Sequence, residues 1–272
     1  MIVSIIITTK NEAKHIGNCL ESIRKQDFTL DKIEIIVVDN NSADSTLQIT
    51  RRYTDKIYTY GPERSAQRNY GVRQATGKYI LYLDADMILS ENVIQECLNK
   101  CENEGCIALY IPERIIGKGF WIKVRDFERS FYNATVIDCV RFVKRDKFLE
   151  VGGFDEGLTG PEDWDFDRKI NEVGKVAIIN SPIYHNEGRF SFRRYINKKI
   201  YYAKSFDKYI KKCCKDDLII KQQLGLQYRF FEVFIENKKW VKLVHHPWLT
   251  LGMYFLKFIL GIRFLTQYIW YQ

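Results

Sequence analysis

The feature that most constrains this chain is a rhythm in its first hundred residues: short apolar, β-branched runs alternate with segments of helical spacing. Residues 2–8, Ile-Val-Ser-Ile-Ile-Ile-Thr, form a nearly continuous apolar run, the pattern of a parallel strand covered on both faces. Residues 12–26 follow with apolar side chains at Ile16, Cys19, Leu20 and Ile23, one face of a helix. The rhythm then repeats. Residues 33–38 read as a strand, and Ser42 or Asp44 can cap a helix through about Tyr53. Strands are expected over 57–60 and 79–83, a helix over 65–75, and a helix capped by Ser90 to about Cys101. Such alternation implies right-handed βαβ crossovers and an α/β, doubly wound sheet.

In sheets of this kind ligands gather beyond the carboxyl ends of the strands. Three polar clusters fall at such ends: Asn11-Glu12, Asp39 with its following Asn40-Asn41-Ser42, and Asp84-Ala85-Asp86. Helix capping accounts for Ser42 and Asp44. It does not account for Asp84 and Asp86, two carboxylates on one tight turn, which suit a hard divalent cation, Mg2+ or Mn2+. An ion there could bridge a diphosphate and offset the charge on a leaving group.

The second half is less regular. Residues 117–133 read as a helix entered through glycines, 140–148 as a strand running into a helix, and 152–155 as a turn. Pro161 opens a helix whose first turn carries Glu162 and Asp163. The helix dipole favours ionised carboxylates there, and either could serve as a general base. Two acids that merely stabilise a helix start would look the same. Residues 176–179 form a further expected strand, and His185 follows another apolar pair.

At this point the chain resembles the family 2 glycosyltransferases of the GT-A fold. The matching stretches are residues 3–12 (VSIIITTKNE), 37–46 (VVDNNSADST), Arg68-Asn69 with Gly71, and 77–86 (GKYILYLDAD). Further on come residues 141–155 (RFVKRDKFLEVGGFD), 162–168 (EDWDFDR) and Tyr184-His185. They cover about the first 190 residues in the family's order. The resemblance implies a GT-A-type mixed sheet over residues 1–189, with a nucleotide-binding half to about 110 and an acceptor half beyond it. It implies an inverting transferase that moves one sugar from a nucleotide-sugar, with a UDP-sugar favoured and a GDP-sugar allowed. By the same resemblance Thr9, Glu12 and Asp39 would hold the nucleoside, and Arg68 would lie near the base or phosphates. Asp84 would contact the ribose, Asp86 would ligate the metal, and His185 would be a further ligand or a diphosphate contact. Asp163 would be the catalytic base, with Glu162 and Trp164 shaping the sugar and acceptor site. Thr9-Lys10 and Asn40-Asn41 depart from the family's usual residues in the nucleoside pocket. No Q-x-x-R-W stretch follows His185, which favours single transfer over polymerisation. Two other readings compete: a nucleotidyltransferase, which would have no need of Glu162-Asp163, and a non-catalytic domain that binds a membrane or partner.

Charge divides the chain. From Gly188 onward 17 Lys and Arg face 5 Asp and Glu, against 25 and 29 before that point. Residues 190–215 interleave these cations with aromatics, a pattern shared by nucleic-acid and membrane binders. The sequel excludes nucleic acid from this reading. Residues 248–271 are largely apolar, with Trp248 and Trp270-Tyr271 at the flanks. Lys257 and Arg263 make a full span awkward, so an interfacial helix or a re-entrant hairpin weakened at Gly252 and Gly261 is expected. Residues 190–272 are thus expected to be a helical, membrane-proximal tail, peripheral or monotopic on the cytoplasmic side. A lipid-linked acceptor follows, or alternatively a tail that packs on the catalytic unit or forms a homodimer. The first residues lack the basic flank and cleavage site of a signal peptide. The seven cysteines show no C-x-x-C pair and read as reduced thiols.

Overall fold

In the computed structural model, residues 1–213 and 217–269 are described. Ten strands are defined: β1 Val3–Thr9, β2 Ile33–Asp39, β3 Ile57–Thr59, β4 Tyr79–Asp84, β5 Met87–Leu89, β6 Ala108–Tyr110, β7 Glu113–Lys118, β8 Phe142–Lys144, β9 Val176–Ile178 and β10 Ile183–Arg189. The helices of the first 190 residues are α1 Ile16–Arg24, α2 Thr46–Thr50, α3 Arg64–Gln74, α4 Val93–Glu104, α5 Phe120–Arg129, α6 Arg145–Glu150 and α7 Glu162–Val173. The tail adds α8 Phe192–Ala203, α9 Phe206–Lys212, α10 Leu218–Leu224, α11 Val233–Ile235, α12 Trp240–His245 and α13 Pro247–Ile269.

The main sheet runs β3-β2-β1-β4-β8-β6-β9. Its first four strands are parallel, and β8 lies antiparallel to both β4 and β6, so the sheet is mixed. The two-period of the strands builds the two halves of the core. Val3, Ile5 and Ile7 of β1 join one cluster with α1 and α4, whereas Ile6 joins the other with α3 and α7. Tyr79, Leu81 and Leu83 of β4 follow the first, Ile80 and Tyr82 the second. Register then sets the site: Thr9 pairs with Asp39, and Thr8 with Asp84, so three polar strand ends lie level along one edge.

A second sheet, β5-β10-β7, was not expected from the sequence. Its strand β7 occupies the start of the segment expected as helix from Gly117, and α5 begins only at Phe120. The expected caps also differ. Ser42 donates its hydroxyl to Asp39 and accepts from the Asn11 amide, so it fixes a turn rather than a helix. Asp44 does accept the Thr46 amide at the start of α2. Ser90 supplies no side-chain cap; Asn92 precedes α4.

The tail packs on the first 190 residues. Val124, Phe127 and Phe131 form one apolar cluster with Tyr195, Tyr228, Val233, Phe234, Met253 and Leu256. Gly252 permits the contact, since a Cβ there would lie 2.7 Å from Val124 Cγ2. Helix α13 runs unbroken past Gly252 and Gly261, which removes the re-entrant hairpin. Among the described residues no helix is long and apolar enough to cross a membrane. Cys214 and Lys215, and the flanking Trp270-Tyr271, lie outside the described residues. The six described cysteines are free and buried.

Candidate functional site

The site is assembled along the carboxyl edge of β1, β2 and β4, closed on one side by β10 and on the other by the start of α7. Its joint is Arg68, 1% exposed. The guanidinium donates through Nη2 to Asp84 Oδ1 at 3.0 Å and through Nη1 to Asp163 Oδ1 at 2.7 Å, residues 16 and 95 positions away. It also lies over the rings of Tyr82 and Phe154, at 4.8 and 5.1 Å. Arg64, one turn earlier on α3, reaches Asp84 at 3.4 Å, Glu162 at 3.4 Å and the Tyr202 hydroxyl at 3.1 Å. Burial alone would raise the Asp84 pKa, but Arg68 and Arg64 prevail and hold the carboxylate well below its ordinary range.

Glu162 and Asp163 differ in kind although adjacent. Glu162 is 2% exposed and accepts from the Gly160 amide as well as from Arg64. Burial, and then the neighbouring Asp163 charge, push its pKa up to about 7. The Asp163 side chain is 29% exposed, and Arg68 holds Oδ1, so Oδ2 is the oxygen left to take a proton. Trp164 donates its indole N–H to the Ile137 carbonyl and stacks on Phe206.

On the opposite side Asp86 lies at the turn after β4. Its Oδ2 meets His185 Nε2 at 3.0 Å, and His185 Nδ1 meets Glu113 Oε1 at 3.0 Å. Burial works against a charged ring, yet the two carboxylates prevail and push the His185 pKa up to about 10. Glu113 is itself anchored, 3.1 Å from Arg141 and 3.6 Å from Arg129. Asp86 and the His185 ring pair with each other; a ring that has given up its proton could join Asp86 in holding a divalent ion, with Glu113 behind the imidazole to orient it. Among the described residues no group of three or more His, Cys, Asp or Glu could enclose a metal. Two protein ligands suit an ion that completes its shell with substrate phosphates and water.

The three residues expected to hold a nucleoside, Thr9, Glu12 and Asp39, lie at the ends of β1 and β2 and in the loop after β1. Thr9 is buried, with a hydroxyl that has no protein partner, while its carbonyl accepts from Gln67. Asp39 is fully buried, and both its oxygens accept from Ser42. Glu12 is half-buried; burial and then Asp86, Asp44 and Asp84 push its pKa up to about 7. The structure thus brings Glu12, Arg68, Asp84, Asp86, Glu162, Asp163 and His185 into one charged network, with Thr9 and Asp39 on the adjoining strand ends and Trp164 one residue beyond Asp163. Arg68 sits beneath the site, its terminal N–H groups taken by carboxylates.

Two functional residues escape the sequence. Arg64 could have been found from its i, i+4 spacing with Arg68 on one helix. Glu113 carries no such signal, because its strand was not read.

Comparison with known proteins bears on this geometry. The family described as Glycosyl transferase family 2 matches residues 4–152. The poly(ribitol-phosphate) beta-N-acetylglucosaminyltransferase TarS of Staphylococcus aureus is 26% identical over 221 residues, 73% of this chain; the chain spans only 38% of that relative. Among solved structures, S. aureus TarS 1-349 in complex with UDP-GlcNAc superposes with a TM-score of 0.60 at 19% identity, covering 90% of this chain and 79% of that one. The mannosyltransferase PcManGT of Pyrobaculum calidifontis, in complex with GDP-Man and Mn2+, gives a TM-score of 0.61 at 22% identity, covering 90% and 74%. At these identities the structural likeness shows the fold alone.

Proposed function

The chain belongs to glycosyl transferase family 2, and from that premise we propose that it moves one sugar from a nucleotide-sugar to an acceptor with inversion, assisted by Mg2+ or Mn2+. The observation that carries the reading is the convergence of Asp84 and Asp163 on the buried guanidinium of Arg68, with Asp86 in the turn after β4 paired to His185 of β10. This arrangement supports a reading in which a metal-binding side and a proton-accepting side share one cleft.

Asp163 Oδ2 takes the proton of the acceptor hydroxyl as its oxygen attacks the anomeric carbon. The bond from that carbon to the diphosphate breaks, and the nucleoside diphosphate leaves. One displacement inverts the centre. Asp86 and His185 would hold the ion, which offsets negative charge on the diphosphate. Thr9, Glu12 and Asp39 would line the nucleoside pocket, with Asp84 toward the ribose. A UDP-sugar is the favoured donor, supported by the UDP-GlcNAc bound to TarS, with a GDP-sugar the alternative, as in PcManGT.

The acceptor is read as a lipid-linked glycan or polyprenyl carrier in cell-surface glycan synthesis, reached from the membrane surface. Support comes from α13, which has two apolar faces. One packs through Met253 and Leu256; the other leaves Trp248, Leu251, Phe255, Phe258 and Ile262 exposed at alternating steps of three and four. Exposed Lys238, Lys242 and Arg263 lie on or beside the same helices. An aromatic-rich apolar stripe beside cations suits an anionic bilayer surface. The test is a nucleotide-sugar panel read by released nucleoside diphosphate, with and without Mn2+ and membrane lipid extract. Release from no donor under any of these conditions would overturn the reading.

A further inference from the structure

Behind the acceptor side, where α5, α8 and α13 meet, four cations gather around two carboxylates. Glu128 is saturated: Arg125 Nη1 at 2.7 Å, Lys257 Nζ at 3.3 Å and the Tyr132 hydroxyl at 2.6 Å all reach it. Arg125 also touches Glu187 at 3.4 Å. Lys199 and Arg229 form no ion pair with a carboxylate among the described residues, although Glu128 lies near enough to Lys199 to act on its charge. Lys199 Nζ lies 5.9 Å from the centre of the Tyr195 ring, and Arg229 donates to the Gln223 carbonyl. Burial, followed by the nearby Arg125 cation, pushes the Lys199 pKa down to about 7. Two buried polar atoms in the cluster, Arg125 Nε and the Tyr195 hydroxyl, have no protein partner.

A surplus of positive charge in a low-dielectric place is costly unless a lysine gives up its proton, the direction in which Lys199 is pushed, or an anion joins it. Two links tie the cluster to the acceptor side. Tyr195, Lys199 and Tyr202 stand at i, i+4 and i+7 on α8, and Tyr202 bonds Arg64, the partner of Glu162. The Arg229 guanidinium lies over the Trp164 ring at 5.4 Å, next to Asp163.

We propose that Arg125, Lys199, Arg229 and the Tyr195 hydroxyl bind a phosphoryl group of the acceptor, a phosphate monoester or diester near the atom that is glycosylated. The proposal rests on the sugar-transfer reading. Arginine and lysine donors in one cluster suit phosphate oxygens. The phosphoryl group could belong to a water-soluble acceptor or to a lipid headgroup.

The test is the thermal midpoint of the full chain in inorganic phosphate and in glycerol 3-phosphate, against chloride at equal ionic strength. Binding of vesicles of phosphatidylglycerol against phosphatidylcholine is measured in parallel. Phosphate at about ten times its dissociation constant is expected to raise the midpoint by roughly 3–6 °C. Lys199→Met and Arg229→Gln remove cations that form no ion pair with a carboxylate, and Glu128 keeps Arg125 and Lys257, so both should fold and both should lose the rise. A variant-sensitive response to the soluble phosphates assigns a water-soluble acceptor; one confined to vesicles assigns a headgroup. No response in either arm, or a response that survives in both variants, overturns the proposal. So does a phosphate rise abolished by saturating uridine diphosphate, which would make the cluster the donor's diphosphate pocket. Because the readout is binding rather than turnover, its failure leaves the transfer reading to stand or fall on the donor panel.

Discussion

Replacing Asp163 by Asn separates its chemistry from its place in the structure. Asparagine keeps the shape and still offers Oδ1 to Arg68, but it cannot take a proton. General-base catalysis contributes roughly 10²–10⁴-fold, so turnover should fall by that factor, about 3–5 kcal/mol of transition-state stabilisation. Stability should fall far less. Breaking a buried ion pair outright costs about 3–5 kcal/mol. Here Arg68 keeps Asp84 at 3.0 Å, and the Asp163 side chain is 29% exposed. A loss of about 1–2 kcal/mol is therefore expected, a midpoint lowered by a few degrees. The assay is single-turnover transfer to acceptor with donor affinity measured separately by titration calorimetry. Donor affinity within about threefold of wild type, with turnover lost, is the expected pattern. An active Asp163→Asn alongside an inactive Glu162→Gln would refute the reasoning and reverse the two roles.

Glu162 gives a stability test. Its pKa is raised to about 7 in the folded chain, so between about 4.5 and 7 the unfolded state has lost a proton that the native state keeps. Stability from this group is therefore undiminished below about 4.5, falls as pH rises to about 7, and stays reduced above it. Glu162→Gln should raise the thermal midpoint at pH 8 by several degrees and leave it nearly unchanged at pH 4.5; a lower midpoint at pH 8 would contradict this. Asp86→Asn and His185→Ala should each weaken Mn2+ binding in the presence of nucleoside diphosphate, by about 10-fold or more in calorimetry; unaltered affinity in both would remove the metal assignment. Deleting the chain from Pro247 onward would strip Met253 and Leu256 from a core cluster, so surface substitutions probe the tail better. Trp248→Ser with Phe258→Ser should abolish binding to anionic vesicles while leaving the midpoint nearly unchanged; a single-chain mass in detergent-free buffer before substitution, with no vesicle binding, would exclude both the bilayer and a homodimer as occupants.

The order of β1, β2 and β4 with their intervening helices was legible in the sequence because both faces of each strand are covered, leaving local apolar runs that need no partner to be recognised. The placement of Asp39 and Asp84 at strand ends was legible for the same reason, since each follows its run directly. The family likeness rested on these same residues. The short strands β5, β6 and β7 were not legible: each is at most six residues and carries Pro, Gly or charge nearby. The small second sheet depended on them, and with it the role of Glu113 behind His185. The tail shows the same limit from another side. Its apolar stretch reads identically whether it meets lipid or protein, and only packing decided that Met253 and Leu256 bury against α5 while Leu251 and Phe258 stay exposed. What the sequence determined by itself is the set of local patterns. What only the tertiary structure decided is which distant charges meet, because Arg68 and Asp163 are 95 residues apart and their pairing is set by how α3 and α7 pack on the sheet, which no local pattern encodes.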